Sequence, residues 1–169
     1  MLVSALPRHA RWLVLLLLVV VGLVSNRSAA LAEEPSPFSK VAGRWLGEGR
    51  LGIRDGITEQ VKCRVTYILQ EQGAQVRQTI RCATDSGSVE VQSTVTHASG
   101  SLTGTWKELS RDWSGQLTGS VTANGFKVAV KGTELNANMD IIVKDARQII
   151  EIQFINSSLI GLTLILIKG

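Results

Sequence analysis

The chain is short of the residues from which catalytic and metal sites are built. It has two histidines and two cysteines. His97 has no second His, free Cys or carboxylate cluster at ligand spacing, so neither a metal site nor an axial haem position is indicated, and no cofactor is expected. No Cys-x-x-Cys occurs, which removes the thiol redox motif. Serine and aspartate are plentiful, yet no nucleophile, base and orienting acid can be placed together, and no enzymatic activity is expected. No segment carries a 3.6-residue apolar stripe, so helix should be scarce.

Long apolar runs are also lacking. Trp12 to Val24 is the run of membrane character, and at about 13 residues it is short against the roughly 20 that a spanning helix needs. Arg8 and Arg11 precede it and Ala30-Leu31-Ala32 closes it, the order of a secretory signal with a small-residue cleavage site. Residues 1–32 are therefore expected to be removed on export to the periplasm or the medium. The 18 basic and 14 acidic residues of the whole chain lose Arg8, Arg11 and Arg27 with that segment, which leaves a charge of about +1. Nucleic acid is not an expected partner, nor is stable membrane insertion after cleavage. A single domain over 41–169, behind a flexible leader over 33–40 that carries Pro35 and Pro37, is expected.

Cys63 to Cys82 specifies most of a hairpin. Gln72-Gly73 separates two runs rich in Val, Ile, Thr and Tyr, a two-residue connection with Gly73 as the residue tolerant of positive φ. With Glu71 opposite Ala74, Tyr67 meets Gln78, Val65 meets Ile80 and Cys63 meets Cys82. Directly opposed Cα atoms lie within disulfide reach, and paired cysteines suit an oxidising compartment. The same register gathers the apolar side chains on one face and sets Arg64 against Arg81 on the other. Opposed like charges are destabilising unless neutralised, which makes Arg64 and Arg81 a candidate anion or partner site; pairing with acids on the next strand is the plainer reading.

The remainder alternates with period two. Strands are expected from Val41 to Ile53, Ser88 to His97, Ser101 to Glu108 and Gly115 to Ala123, with hairpin loops at Arg54-Asp55-Gly56, Asp85-Ser86-Gly87 and Ser99-Gly100. Asn124-Gly125 predicts a turn setting Ala123 against Phe126, Val121 against Val128 and Gly119 against Val130. Met139, Ile141 and Val143 are expected opposite Phe154, Ile152 and Ile150. Leu159 to Ile167 is apolar on both faces, so a cover such as the leader or a partner chain is expected over it. About ten sequential antiparallel strands leave two exposed edges unless they close, and an up-and-down barrel is the expected fold, with a β-sandwich as the alternative. The inward glycines Gly47, Gly49, Gly104, Gly119 and Gly132 suit sharp bends or leave room for a ligand. Gly-x-Leu-Thr-Gly occurs at Gly100–Gly104 and Gly115–Gly119. One apolar face, without aromatic girdles, argues against a membrane-embedded barrel.

Gly43-Arg44-Trp45, extended to Gly49 as Gly-Arg-Trp-Leu-Gly-Glu-Gly, resembles the opening of lipocalin-type (calycin) barrels and of the haem-binding nitrobindin-like barrels. The resemblance implies a barrel that binds an apolar small molecule inside, with Trp45 closing its floor. The haem-binding members ligate iron through a late histidine, and none follows His97. The chain is also similar to small exported proteins of rhizobium-like α-proteobacteria through Trp-Leu-Gly-Glu-Gly, Cys63-Arg64, Arg81-Cys82-Ala83 and Gly104-Thr105-Trp106-Lys107-Glu108, which implies an origin and an export route.

Two functions follow. One is a non-enzymatic carrier whose interior, lined by Trp45, Tyr67, Val91, Trp106, Val121, Val128 and Phe154, buries a small apolar ligand. The other is an envelope or interaction protein with a filled core, acting through the arginine pair or the last strand. Glu108 and Asp112 read as solvated charges near a loop.

Overall fold

The computed structural model describes residues 35–169; the signal segment falls outside the described residues. Ten strands follow one another: β1 (Gly43–Ile53), β2 (Thr58–Gln70), β3 (Gln75–Thr84), β4 (Gly87–Ala98), β5 (Ser101–Glu108), β6 (Trp113–Thr122), β7 (Gly125–Gly132), β8 (Asn136–Lys144), β9 (Arg147–Ile155) and β10 (Leu159–Lys168). Each pairs antiparallel with its neighbours in sequence, and β1 pairs with β10 to close a barrel. Closure removes both sheet edges, which excludes the sandwich. Period-two alternation puts one apolar set inside and most of the charges outside.

Cys63 stands opposite Cys82 and Arg64 opposite Arg81, as the sequence predicts. The cysteines form a disulfide with Cα atoms 4.2 Å apart. The turn itself is longer than expected. Gln70 pairs with Gln75, and Glu71, Gln72 and Gly73 all take left-handed backbone. Gly73 is buried there because Ser36 lies over it, donating its hydroxyl to the Gly73 carbonyl; a Cβ on Gly73 would sit 2.8 Å from the Ser36 side chain.

Two other registers differ from expectation by two residues. Val121 faces Phe126 and Gly119 faces Val128, with Ala123-Asn124 as the turn. Gly125 belongs to the strand, where a Cβ would lie 1.8 Å from the Ile141 carbonyl, so close approach of β8 is what requires it. Likewise Met139 faces Ile152 and Ile141 faces Ile150. A shift of two keeps every side chain on its own face, so polarity alone cannot reject it.

The Gly-x-Leu-Thr-Gly pair has a packing role. Leu102 faces Gly119 and Gly104 faces Leu117, so each leucine lies against the other repeat's glycine. At Gly47 and Gly49 a Cβ would strike the carbonyls of Ile165 and Thr163 at 1.9 and 1.8 Å. These glycines serve tight strand approach, since a Cβ at either would meet the backbone of β10.

Of the leader expected to be loosely held, Pro37–Lys40 forms a 3-10 turn capped by Ser36, and Phe38 and Val41 are buried. This segment plugs one end of the barrel. It does not cover the outer face of β10, where Ile165 and Ile167 remain about half exposed.

Candidate functional site

The two ends of the barrel differ. At the leader end Phe38 packs on Phe126 with ring centroids 5.7 Å apart and meets His97 edge-on at 6.3 Å. Trp45 is fully buried beneath them and donates its indole N–H to the Val41 carbonyl at 2.7 Å. Tyr67, Val76, Leu102, Val143 and Leu166 complete this floor. The opposite end has no such plug among the described residues, and inward side chains around it, including Leu51, Trp113, Leu135 and Phe154, stay partly exposed.

The core divides accordingly. One cluster surrounds the floor; a smaller one joins Trp106, Leu117, Val130 and Ala137 on the β5 to β8 side. Val95, Val128, Met139 and Ile152 pack against both clusters, point inward, and remain only half buried. Partial exposure of apolar side chains on the inside of a closed barrel means that water reaches the interior beside them. Ten strands also enclose a wider lumen than the eight whose side chains just fill theirs. The pairing rows wind steeply: that through Leu51, Leu162, Ile152, Met139, Val128, Gly119 and Leu102 ends at His97, at the other end of the barrel.

Of the seven interior residues singled out from sequence, Val91, Val121, Val128 and Phe154 line this space with partial exposure. Trp45 and Tyr67 belong to the floor, and Trp106 is held in the smaller cluster, donating to the Lys131 carbonyl at 3.3 Å.

Sequence reasoning did not single out a polar chain in the same interior. Ser93 donates to Gln78 Oε1 at 3.0 Å, and Tyr67 Oη donates to Gln148 Oε1 at 3.1 Å. Tyr67, Gln78 and Ser93 are consecutive partners across β2, β3 and β4. Burial pushes the Tyr67 hydroxyl well above the usual phenol range, and its polar neighbours Gln148 and Gln78 offset only part of that. Gln148 is fully buried and its Nε2 has no partner. An unpaired buried donor costs about 1–3 kcal/mol. The signal available in sequence was polarity out of place: Gln78, Ser93 and Gln148 each occupy an inward position beside valines or isoleucines.

His97 is a satisfied strand-end residue, its Nε2 accepting the Gly100 N–H at 3.0 Å. Glu108 is not solvated, as its loop position suggests, but buried. Burial pushes its carboxyl up, yet the N–H groups of Ser110 and Arg111, at 3.0 and 2.7 Å, outweigh that and hold it below the ordinary carboxylate value. It caps the loop after β5.

On the outer wall, Arg81 makes a two-point ion pair with Glu90 on β4, at 2.8 and 3.0 Å. This is the plainer reading of the arginine pair, and it occupies half of the candidate anion site. No ion pair involves Arg64 among the described residues. Both arginines border an open depression over β10, β1, β2, β3 and β4, together with Lys62, Arg147, Leu46 and Ile167.

No protein-family model and no curated protein matches the chain. Among solved structures, an S-type phycobiliprotein lyase, CPES, from Guillardia theta is similar over 78% of this chain and 90% of that chain, at 8% identity and a TM-score of 0.58. The fold is a calycin-like barrel. At that identity the likeness establishes fold alone.

Proposed function

We propose that the protein is a non-enzymatic carrier, exported through a cleaved signal segment, that holds a small apolar molecule inside the barrel. The observation that carries this reading is the set of half-buried inward side chains, Val95, Val128, Met139 and Ile152, between two packed clusters above a plugged floor. Apolar walls with a few fixed polar groups suit a ligand bound mainly by burial. A disulfide at Cys63 and Cys82 fits an oxidising compartment. A barrel of similar fold occurs in a phycobiliprotein lyase, which is compatible with a ligand-holding interior; no lyase chemistry is carried over.

The test is native mass spectrometry of the protein purified from its own envelope. A stoichiometric bound lipid, pigment or other apolar molecule supports the carrier. Protein free of ligand that also takes up none on incubation with apolar extracts overturns it.

A second reading has one observation behind it. Leu46, Ile167, Ile165 and Ile142, bridged by Ile149, form a continuous outward apolar strip across β1, β10, β9 and β8, a feature of interaction surfaces.

A further inference from the structure

The polar chain beneath the interior has a direction. Ser93 donates to Gln78 Oε1, Gln78 stands opposite Tyr67 across the ladder, and the Tyr67 hydroxyl donates to Gln148 Oε1. Every link but the last has an acceptor. Gln148 Nε2 ends the chain as an unpaired donor on a wholly buried side chain, a state that few buried polar groups are left in.

We propose that Gln148 is the polar anchor of the interior, and that it selects an apolar ligand bearing an uncharged oxygen acceptor such as a ketone, ester or amide carbonyl. Tyr67 fixes which end of the Gln148 amide is free, because its hydroxyl occupies Oε1 and leaves the N–H groups to donate. Gln78, on the same inward face, is the partly exposed member of the chain. Gln148 lies between Leu166 and Val143, its neighbours across the ladder, and keeps its Oε1 on the Tyr67 hydroxyl.

Charge decides against a carboxylate. Of the inward charged groups, Glu59 and Glu108 are acidic; His97 is already held at the strand end, accepting the Gly100 N–H on Nε2; Lys168 lies at the exposed end of β10 with its ammonium over the Trp45 ring at 5.5 Å. A buried anion would have no cation beside it, and an unpaired charge is costly where a neutral carbonyl is not.

This inference rests on the interior-binding reading, and the two fail separately. The experiment measures binding of three probes of equal chain length to the mature protein by isothermal titration calorimetry: a long-chain methyl ketone, the corresponding alkane and the corresponding primary amine. The ketone should bind about tenfold more tightly than the alkane, the worth of one net hydrogen bond. Gln148→Leu and the near-isosteric Gln148→Met should abolish that margin while leaving alkane binding in place, and two variants guard against one that fails to fold. Equal binding of ketone and alkane to the unmodified protein means that a buried water or nothing satisfies Gln148, and overturns the anchor alone. Preference for the amine means that the amide presents its oxygen, and overturns it too. If no probe binds, the carrier reading itself falls.

Discussion

Replacing Phe38 by alanine tests whether the leader is part of the barrel. The side chain is 3% exposed and touches Phe126 and His97 across the barrel end. Phenylalanine-to-alanine changes in cores cost about 3–5 kcal/mol, and a tilted aromatic pair adds about 0.5–1.5 kcal/mol to what area alone accounts for. The site lies at an end, where water can enter the space left behind. That argues for the lower limit, about 3 kcal/mol. Against a total stability of about 5–15 kcal/mol, this is a large fraction. Urea unfolding followed by tryptophan fluorescence should show a lower midpoint with an unchanged slope. Phe38→Leu, which keeps most of the apolar volume, should recover more than half of the loss. A change below about 1 kcal/mol for Phe38→Ala would refute the plug and restore a loosely held leader.

Other outcomes follow from the same structure. Removing the disulfide with Cys63→Ala and Cys82→Ala together should cost about 3 kcal/mol, the chain-entropy value for the separation of 19 residues; a loss under about 1 kcal/mol would mean that the barrel already fixes this hairpin. Tyr67 is the sole tyrosine, so phenolate absorbance reports it directly. Its folded pKa is raised, so the stability it contributes is complete below the ordinary phenol value of about 10 and falls as pH rises beyond it. Ionisation should therefore appear together with loss of barrel circular dichroism, and phenolate forming near pH 10 in a folded barrel would contradict the burial. Glu90→Gln should leave the unfolding midpoint within the scatter of surface variants, because Arg81 and Glu90 are solvent-exposed partners; a loss rivalling that of Phe38→Ala would show that the outer arginine face carries structural weight.

What was legible in the sequence was parity. Alternation assigns almost every inward residue, and the Cys63–Cys82 hairpin is also placed in register because two constraints, the apolar face and the facing cysteines, agree only there. At Asn124-Gly125 no second constraint acts. The turn signal competes with the carbonyl of Ile141, a group from another strand, and the tertiary contact prevails. Phe38 shows the same limit: a Pro-flanked segment reads as loose chain until a barrel end exists to receive it. Whether the interior is open depended on closure and stagger, which no local pattern encodes. The polar chain was half visible, since the hairpin register already set Tyr67 against Gln78. Gln148 joins from β9, and only closure brings it there.

The carrier reading meets its most direct test in one competition. An uncharged, environment-sensitive apolar dye is titrated into the unmodified barrel, into an interior-filling variant, Met139→Trp with Ile152→Phe, and into an outer-strip variant, Ile165→Glu with Ile167→Glu, each first shown to be folded. Saturable one-to-one binding is expected, lost in the interior variant and kept in the outer variant. Binding that survives filling of the interior and disappears with the outer strip would contradict it and assign function to the outside of the barrel.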